Sequence, residues 1–156
     1  MIDRNKYEQF GFERNQEDIQ CIVLHNTNSE LSARQLFNWL NETSSSQGTH
    51  YIVDYDEVVE VMPLDWGVYH TGKGMDFGNK FGIAIEICSN LNNEKYLQGE
   101  TKAMELVKSL MNEYRLTKND IYFHQDFNQT TKCPNDILTI YGNRKNFINS
   151  YFNEEV

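Results

Sequence analysis

A chain of 156 residues, 39% hydrophobic with nine Tyr and nine Phe, has enough apolar material for one folded domain, which excludes a disordered chain. Its net charge of −9, from 14 basic and 23 acidic residues, argues against nucleic acid as a partner, because that needs clustered Lys and Arg. No apolar run approaches the roughly 20 residues needed for membrane insertion, and Met1-Ile2-Asp3-Arg4-Asn5-Lys6 lacks the apolar core of a signal peptide, so synthesis in the cytoplasm is expected.

In chain order, Ile19–Leu24 reads as a strand that breaks off into polar His25-Asn26-Thr27. Ser32 and Gln35 form a capping box ahead of a helix with Ala33, Leu36, Phe37 and Leu40 on one face. Thr49–Val53 is a second strand, and Val58–Val61 returns antiparallel to it after Asp54-Tyr55-Asp56-Glu57. Phe81–Cys88 is the clearest strand: Ile83, Ile85 and Ile87 point to one face, and Gly82, Ala84, Glu86 and Cys88 to the other. Ala103, Leu106, Val107, Leu110, Met111 and Tyr114 stripe a helix over 100–115. Tyr122 and Phe123 lead as a short strand into His124, and Phe147, Ile148, Tyr151 and Phe152 mark a final helix. Strands interleaved with helices imply an α/β fold with a mixed central β-sheet flanked by helices, in a single domain over 1–156.

Three side chains have the chemistry of a zinc site. His25 ends the first strand, and His124 and Cys133 flank a polar loop, 133 − 124 = 9 positions apart. Imidazole and thiolate suit Zn²⁺, and three protein ligands leave a fourth position open, as a catalytic zinc requires. Cys21 and Cys88 lie in apolar runs and read as small core residues. Glu86 sits mid-strand among apolar neighbours. Desolvation there would raise its pKa into a range useful to a general base, and the competing reading is a salt bridge to a Lys or Arg. His50 and His70 are read either as hydrogen-bonded, partly buried imidazoles or as groove-lining residues.

The runs IVLHNTN at 22–28, THYIVDYDEVVEVMPLDWGVYHTG at 49–72, NKFGIAIEICSN at 79–90 and HQDFNQTTKCP at 124–134 occur in the order found in a known family. Over about residues 18–140 the chain resembles the zinc-dependent N-acetylmuramoyl-L-alanine amidases of the amidase-2 type, including bacteriophage endolysins, and more distantly the peptidoglycan recognition proteins. The resemblance implies zinc held by His25, His124 and Cys133, Glu86 assisting the attacking water, and a groove for bacterial peptidoglycan lined by His70, with His50 and Tyr51 beside it. Two departures stand out. Thr49 occupies a place where many members have an aromatic residue, with Tyr51 on the same strand. Thr131 stands two before the third ligand, where members often place a Lys, and Lys132 is next door, so either could be the catalytic donor to the oxyanion. The resemblance further implies a lysin that acts on the cell wall after release. It would be compact, or the catalytic part of a longer protein carrying a wall-binding domain. The rival reading is a peptidoglycan-binding module without catalysis; retention of all three ligands speaks against it.

Overall fold

The computed structural model describes residues 1–89 and 92–152. Seven strands and seven helices follow one another as α1 (Tyr7–Phe10), β1 (Gly11–Glu13), β2 (Cys21–Asn26), α2 (Ala33–Glu42), β3 (Tyr51–Val53), β4 (Val58–Glu60), β5 (Trp66–Val68), α3 (Phe77–Phe81), β6 (Gly82–Ile87), α4 (Asn93–Tyr114), β7 (Ile121–Phe123), α5 (His124–Phe127), α6 (Asn135–Tyr141) and α7 (Arg144–Tyr151) among the described residues. The central sheet has the order β4-β3-β6-β2-β7, and β1 pairs with β5 in a separate two-stranded ribbon. In the sheet β3, β6, β2 and β7 run parallel while β4 is antiparallel to β3, so the sheet is mixed.

The parallel strands explain the apolar runs in the sequence. All six residues of β2 are buried, as expected of a strand covered on both faces. Ile22 and Leu24 lie beside Ile83 and Ile85 and pack under α4, α6 and α7 with Val107, Ile137 and Phe147. The opposite face carries Ala84 and Ile52 against Ala33 and Leu40 of α2 and against Phe10 and Val68. Burial of each of these larger side chains contributes about 1.5–3 kcal/mol, so the two layers fix the sheet between them.

The strands expected from the sequence are present, shifted by one or two residues at their ends, and the Ser32–Gln35 capping box is formed. The long helix begins at Asn93, well before the apolar stripe, because Asn92 caps it by accepting from the Lys95 N–H. Gly99 inside that helix lets it press on the turn after β3: a Cβ there would lie 3.1 Å from the Asp54 and Tyr55 backbone. The segment from His124 is a short helix rather than open loop. Asn90, the last residue of the 79–90 run, lies outside the described residues.

Candidate metal centre and cavity

The carboxyl ends of β6, β2 and β7 meet at one edge of the sheet, the place where parallel strands present their ligand-binding residues. His25 pairs in register with Glu86, which sets both side chains on the same face. His124 follows directly on β7. Cys133 returns to the same point because the Gln125 N–H donates to the Cys133 carbonyl at 3.1 Å, closing the loop that separates the two ligands. Asp126 accepts from the Phe123 N–H at 2.7 Å and so fixes the turn on which His124 stands.

The donor atoms of His25, His124 and Cys133 lie within 4.8 Å of one another. His25 Nδ1 is 3.7 Å from Cys133 Sγ and 3.9 Å from Glu86 Oε1. Tetrahedral zinc with ligands at 2.0–2.3 Å separates them by roughly 3.5 Å, so two imidazoles and a thiol at this spacing suit a divalent zinc-like ion. Burial and the neighbouring histidines hold His25 neutral, well below the ordinary imidazole value, and burial lowers His124 as well. A neutral imidazole is the form that binds a metal. Cys133 in the metal-free chain is pushed up to about 12, first by burial and then by Glu86. A cation at the site reverses that preference and expels the thiol proton.

Glu86 lines the cavity floor with its side chain 23% exposed, while Oε2 is buried and has no hydrogen-bond partner. Among the described residues no Lys or Arg reaches it, so the ion-pair reading of this carboxyl does not hold. Burial alone raises its pKa to about 7. A lone carboxyl of this kind, beside a ligand cluster and open to a cavity, is suited to taking and returning a proton near neutral pH.

The cavity encloses about 310 Å³. One wall is α2, with Leu36, Leu40 and the 48%-exposed Trp39; another is the loop carrying Ser45, Gln47 and Gly48; Thr49 and Thr131 complete it near the ligands. The Thr131 hydroxyl accepts from the Cys133 N–H at 3.2 Å, which leaves its own proton free to donate.

Several expected residues lie elsewhere. Lys132 is exposed and lines a separate depression with Gln125 and Leu138. Adjoining residues of an extended loop point in different directions, so only Thr131 of the pair reaches the cavity. His50 is fully buried outside it: its Nδ1 accepts from the Ala84 N–H at 2.9 Å and its Nε2 donates to the Trp66 carbonyl at 2.8 Å. Tyr51, pairing with Ile85, packs on the opposite sheet face with the α4 core. Strand alternation sends it there, away from Glu86. His70 lines the cavity but is only 5% exposed, and both its ring nitrogens are engaged. The sequence reading passed over Trp39, although its spacing from Leu36 continues the apolar stripe of α2.

Residues 15–136 match the family described as N-acetylmuramoyl-L-alanine amidase. The chain is 32% identical over 122 residues to the N-acetylmuramoyl-L-alanine amidase CwlA of Bacillus subtilis (strain 168), covering 77% of this chain and 44% of that protein. It is 33% identical over 122 residues to the amidase XlyB of the same organism, covering 77% and 38% respectively. The chain therefore spans well under half the length of these relatives. Among solved structures, PlyL superposes with a TM-score of 0.87 at 24% identity, covering 99% of this chain and 96% of that one. The catalytic domain of XlyA does so with 0.82 at 24%, covering 95% of each. At that identity the likeness is one of fold.

Proposed function

The chain belongs to the N-acetylmuramoyl-L-alanine amidase family, and from that premise we propose that it is a zinc-dependent peptidoglycan hydrolase. The bond cleaved is the amide between the lactyl group of N-acetylmuramic acid and L-alanine, and the biological setting is that of a phage or prophage endolysin acting on the bacterial wall. The observation that carries this reading is the meeting of His25, His124 and Cys133 with an unpaired Glu86 on the floor of one cavity.

His25, His124 and Cys133 are the residues that would hold the metal. A zinc ion bound there would supply Lewis acidity toward the scissile carbonyl and would lower the pKa of a water to about 7. Glu86 accepts the proton of the attacking water at its carboxylate and returns it to the leaving alanine amine. The Thr131 hydroxyl donates to the oxygen on which negative charge develops. The apolar α2 wall, with the exposed Trp39, and the polar loop carrying Ser45, Gln47 and Gly48 bind and orient the substrate.

Digestion of purified peptidoglycan tests this directly. New free amino termini of alanine should appear without new reducing sugar ends. Cys133→Ser and His124→Ala should each lose both zinc and lysis, since two ligands leave a weak site. Reducing ends in the digest would make the chain a glycosidase. Stoichiometric zinc without any cleavage would make it a binding module.

A further inference from the structure

The outer nitrogens of both imidazole ligands are held by two consecutive residues. His25 Nε2 lies 2.9 Å from His70 Nδ1, and His70 Nε2 lies 3.1 Å from the Gly78 carbonyl. A carbonyl can only accept, so His70 carries its proton on Nε2 and offers a lone pair at Nδ1. His25 then donates from Nε2, which leaves its Nδ1 lone pair facing Cys133 and Glu86. One residue on, the Thr71 carbonyl accepts from His124 Nε2 at 3.0 Å, which leaves the Nδ1 of that ring with its lone pair available to a metal. Two ligands from different elements, β2 and α5, are thus turned the same way by one dipeptide.

That dipeptide is itself pinned. Asn79 Oδ1 accepts from the His70 N–H at 2.8 Å and from the Thr71 N–H at 3.1 Å. Its Nδ2 donates to the Gly74 carbonyl at 2.5 Å, and its backbone N–H is held by Asp76 Oδ1 at 2.9 Å. Asn79 is 1% exposed, Thr71 fully buried, and a Cβ on Gly78 would lie 2.8 Å from Thr71 Cγ2.

We propose that Asn79, acting through His70 and the Thr71 carbonyl, is a positioning residue that fixes both histidine ligands with Nδ1 toward the metal. His70 is accordingly an orienting partner of His25 and not a substrate contact. The inference rests on the zinc site proposed above, but it concerns affinity for the ion and not turnover. An orienting shell of this kind typically changes metal affinity by 10–100-fold.

The test is zinc affinity by chelator competition on the 156-residue chain, with the absorption spectrum of the Co²⁺-loaded protein as a second readout. His70→Leu and Asn79→Leu should weaken zinc about 10–100-fold and alter the cobalt spectrum. His70→Gln, whose amide can accept from His25 and donate to Gly78, should recover most of the affinity. Melting of the metal-free variants separates orientation from folding, because a merely structural residue would lower the melting temperature and leave the affinity of the folded protein unchanged. If Asn79→Leu does not fold, the two His70 variants decide alone. Parent affinity in folded His70→Leu, or His70→Gln no tighter than His70→Leu, would overturn the proposal. Tight zinc in the parent with no amide cleavage would sink the amidase reading and leave this one standing.

Discussion

Glu86 and Glu100 each have a buried Oε2 without a hydrogen-bond partner among the described residues, and they differ in what surrounds the other oxygen. Glu100, fully buried in α4, accepts from the Tyr141 and Tyr151 hydroxyls at 2.6 Å each and ties α4 to α6 and α7. Glu86 receives no such hydroxyl among the described residues: its side chain is 23% exposed, it lines the cavity, and its neighbour His25 is kept neutral by burial. Glu86→Gln keeps the shape and removes the proton acceptor. Turnover should fall about 10²–10⁴-fold while zinc content stays at parent level and the melting temperature holds or rises. An unchanged rate per folded molecule, read beside the melting curve, would remove Glu86 from the chemistry. His25 and Glu86 were legible in the sequence because each is a polar residue in or at the end of an apolar run, and His124 and Cys133 because an imidazole and a thiol flank one polar loop. His50 was misplaced for the same reason: an imidazole in a strand looks alike whether it faces a cavity or satisfies the backbone of β6 and the Trp66 carbonyl.

At the scale of elements, the segment ahead of the family match braces one wall of the cavity. Gln9 in α1 donates from Nε2 to the Thr43 carbonyl at 3.0 Å and to the Ser45 carbonyl at 2.6 Å. Lys6 Nζ donates to the Asn41 carbonyl. Phe10, 1% exposed, packs on Gly48, where a Cβ would come within 2.8 Å of Phe10 Cβ. The loop that presents Ser45 and Gln47 to the cavity thus has its shape imposed by residues far away in sequence. Gln9→Leu should raise KM for peptidoglycan several-fold with kcat and zinc affinity unchanged, the pattern of lost uniform binding. Gly48→Ala should lower the melting temperature by about 2–10 °C through overpacking against Phe10. A kcat loss in Gln9→Leu at constant KM would show that the loop acts in the chemical step instead. The central strands and α2 announced themselves through periodicity and a capping box. This brace did not, since α1 and β1 have only four and three residues and derive their structure from contacts with β5 and the 43–48 loop.

For the whole molecule, the buried histidines make stability depend on pH in a direction that can be worked out. His25 and His50 are held well below the ordinary imidazole value, chiefly by burial, and His70 is lowered to about 3. The Arg14 guanidinium, whose Nη2 is 3.2 Å from His50 Nε2, further opposes a charge on that ring. In the unfolded chain all three titrate near 6.5. As pH falls below 6.5 the unfolded state therefore takes up protons that the folded state refuses, and stability is lost from there down toward pH 3. Glu86 works the other way. Its folded value of about 7 lies above its ordinary 4.5, so the folded state holds the extra proton between those limits and gains stability as pH falls through 7. Four lowered histidines, His124 among them, outweigh one raised carboxyl, so unfolding takes up protons near pH 5.5 and the metal-free chain loses stability as pH falls. Urea unfolding at pH 7.5, 6.5 and 5.5 in the presence of chelator should show the midpoint falling steeply between the last two at a nearly constant m-value. His50→Gln preserves an acceptor for the Ala84 N–H and a donor for the Trp66 carbonyl but cannot be protonated, so it should remove about one proton from that slope. Zinc should steepen the acid loss further, since the ligands must be deprotonated to bind. A midpoint independent of pH between 7.5 and 5.5 would mean that water reaches these rings in the folded state, and that the dry floor on which the candidate metal centre and Glu86 are built does not exist in solution.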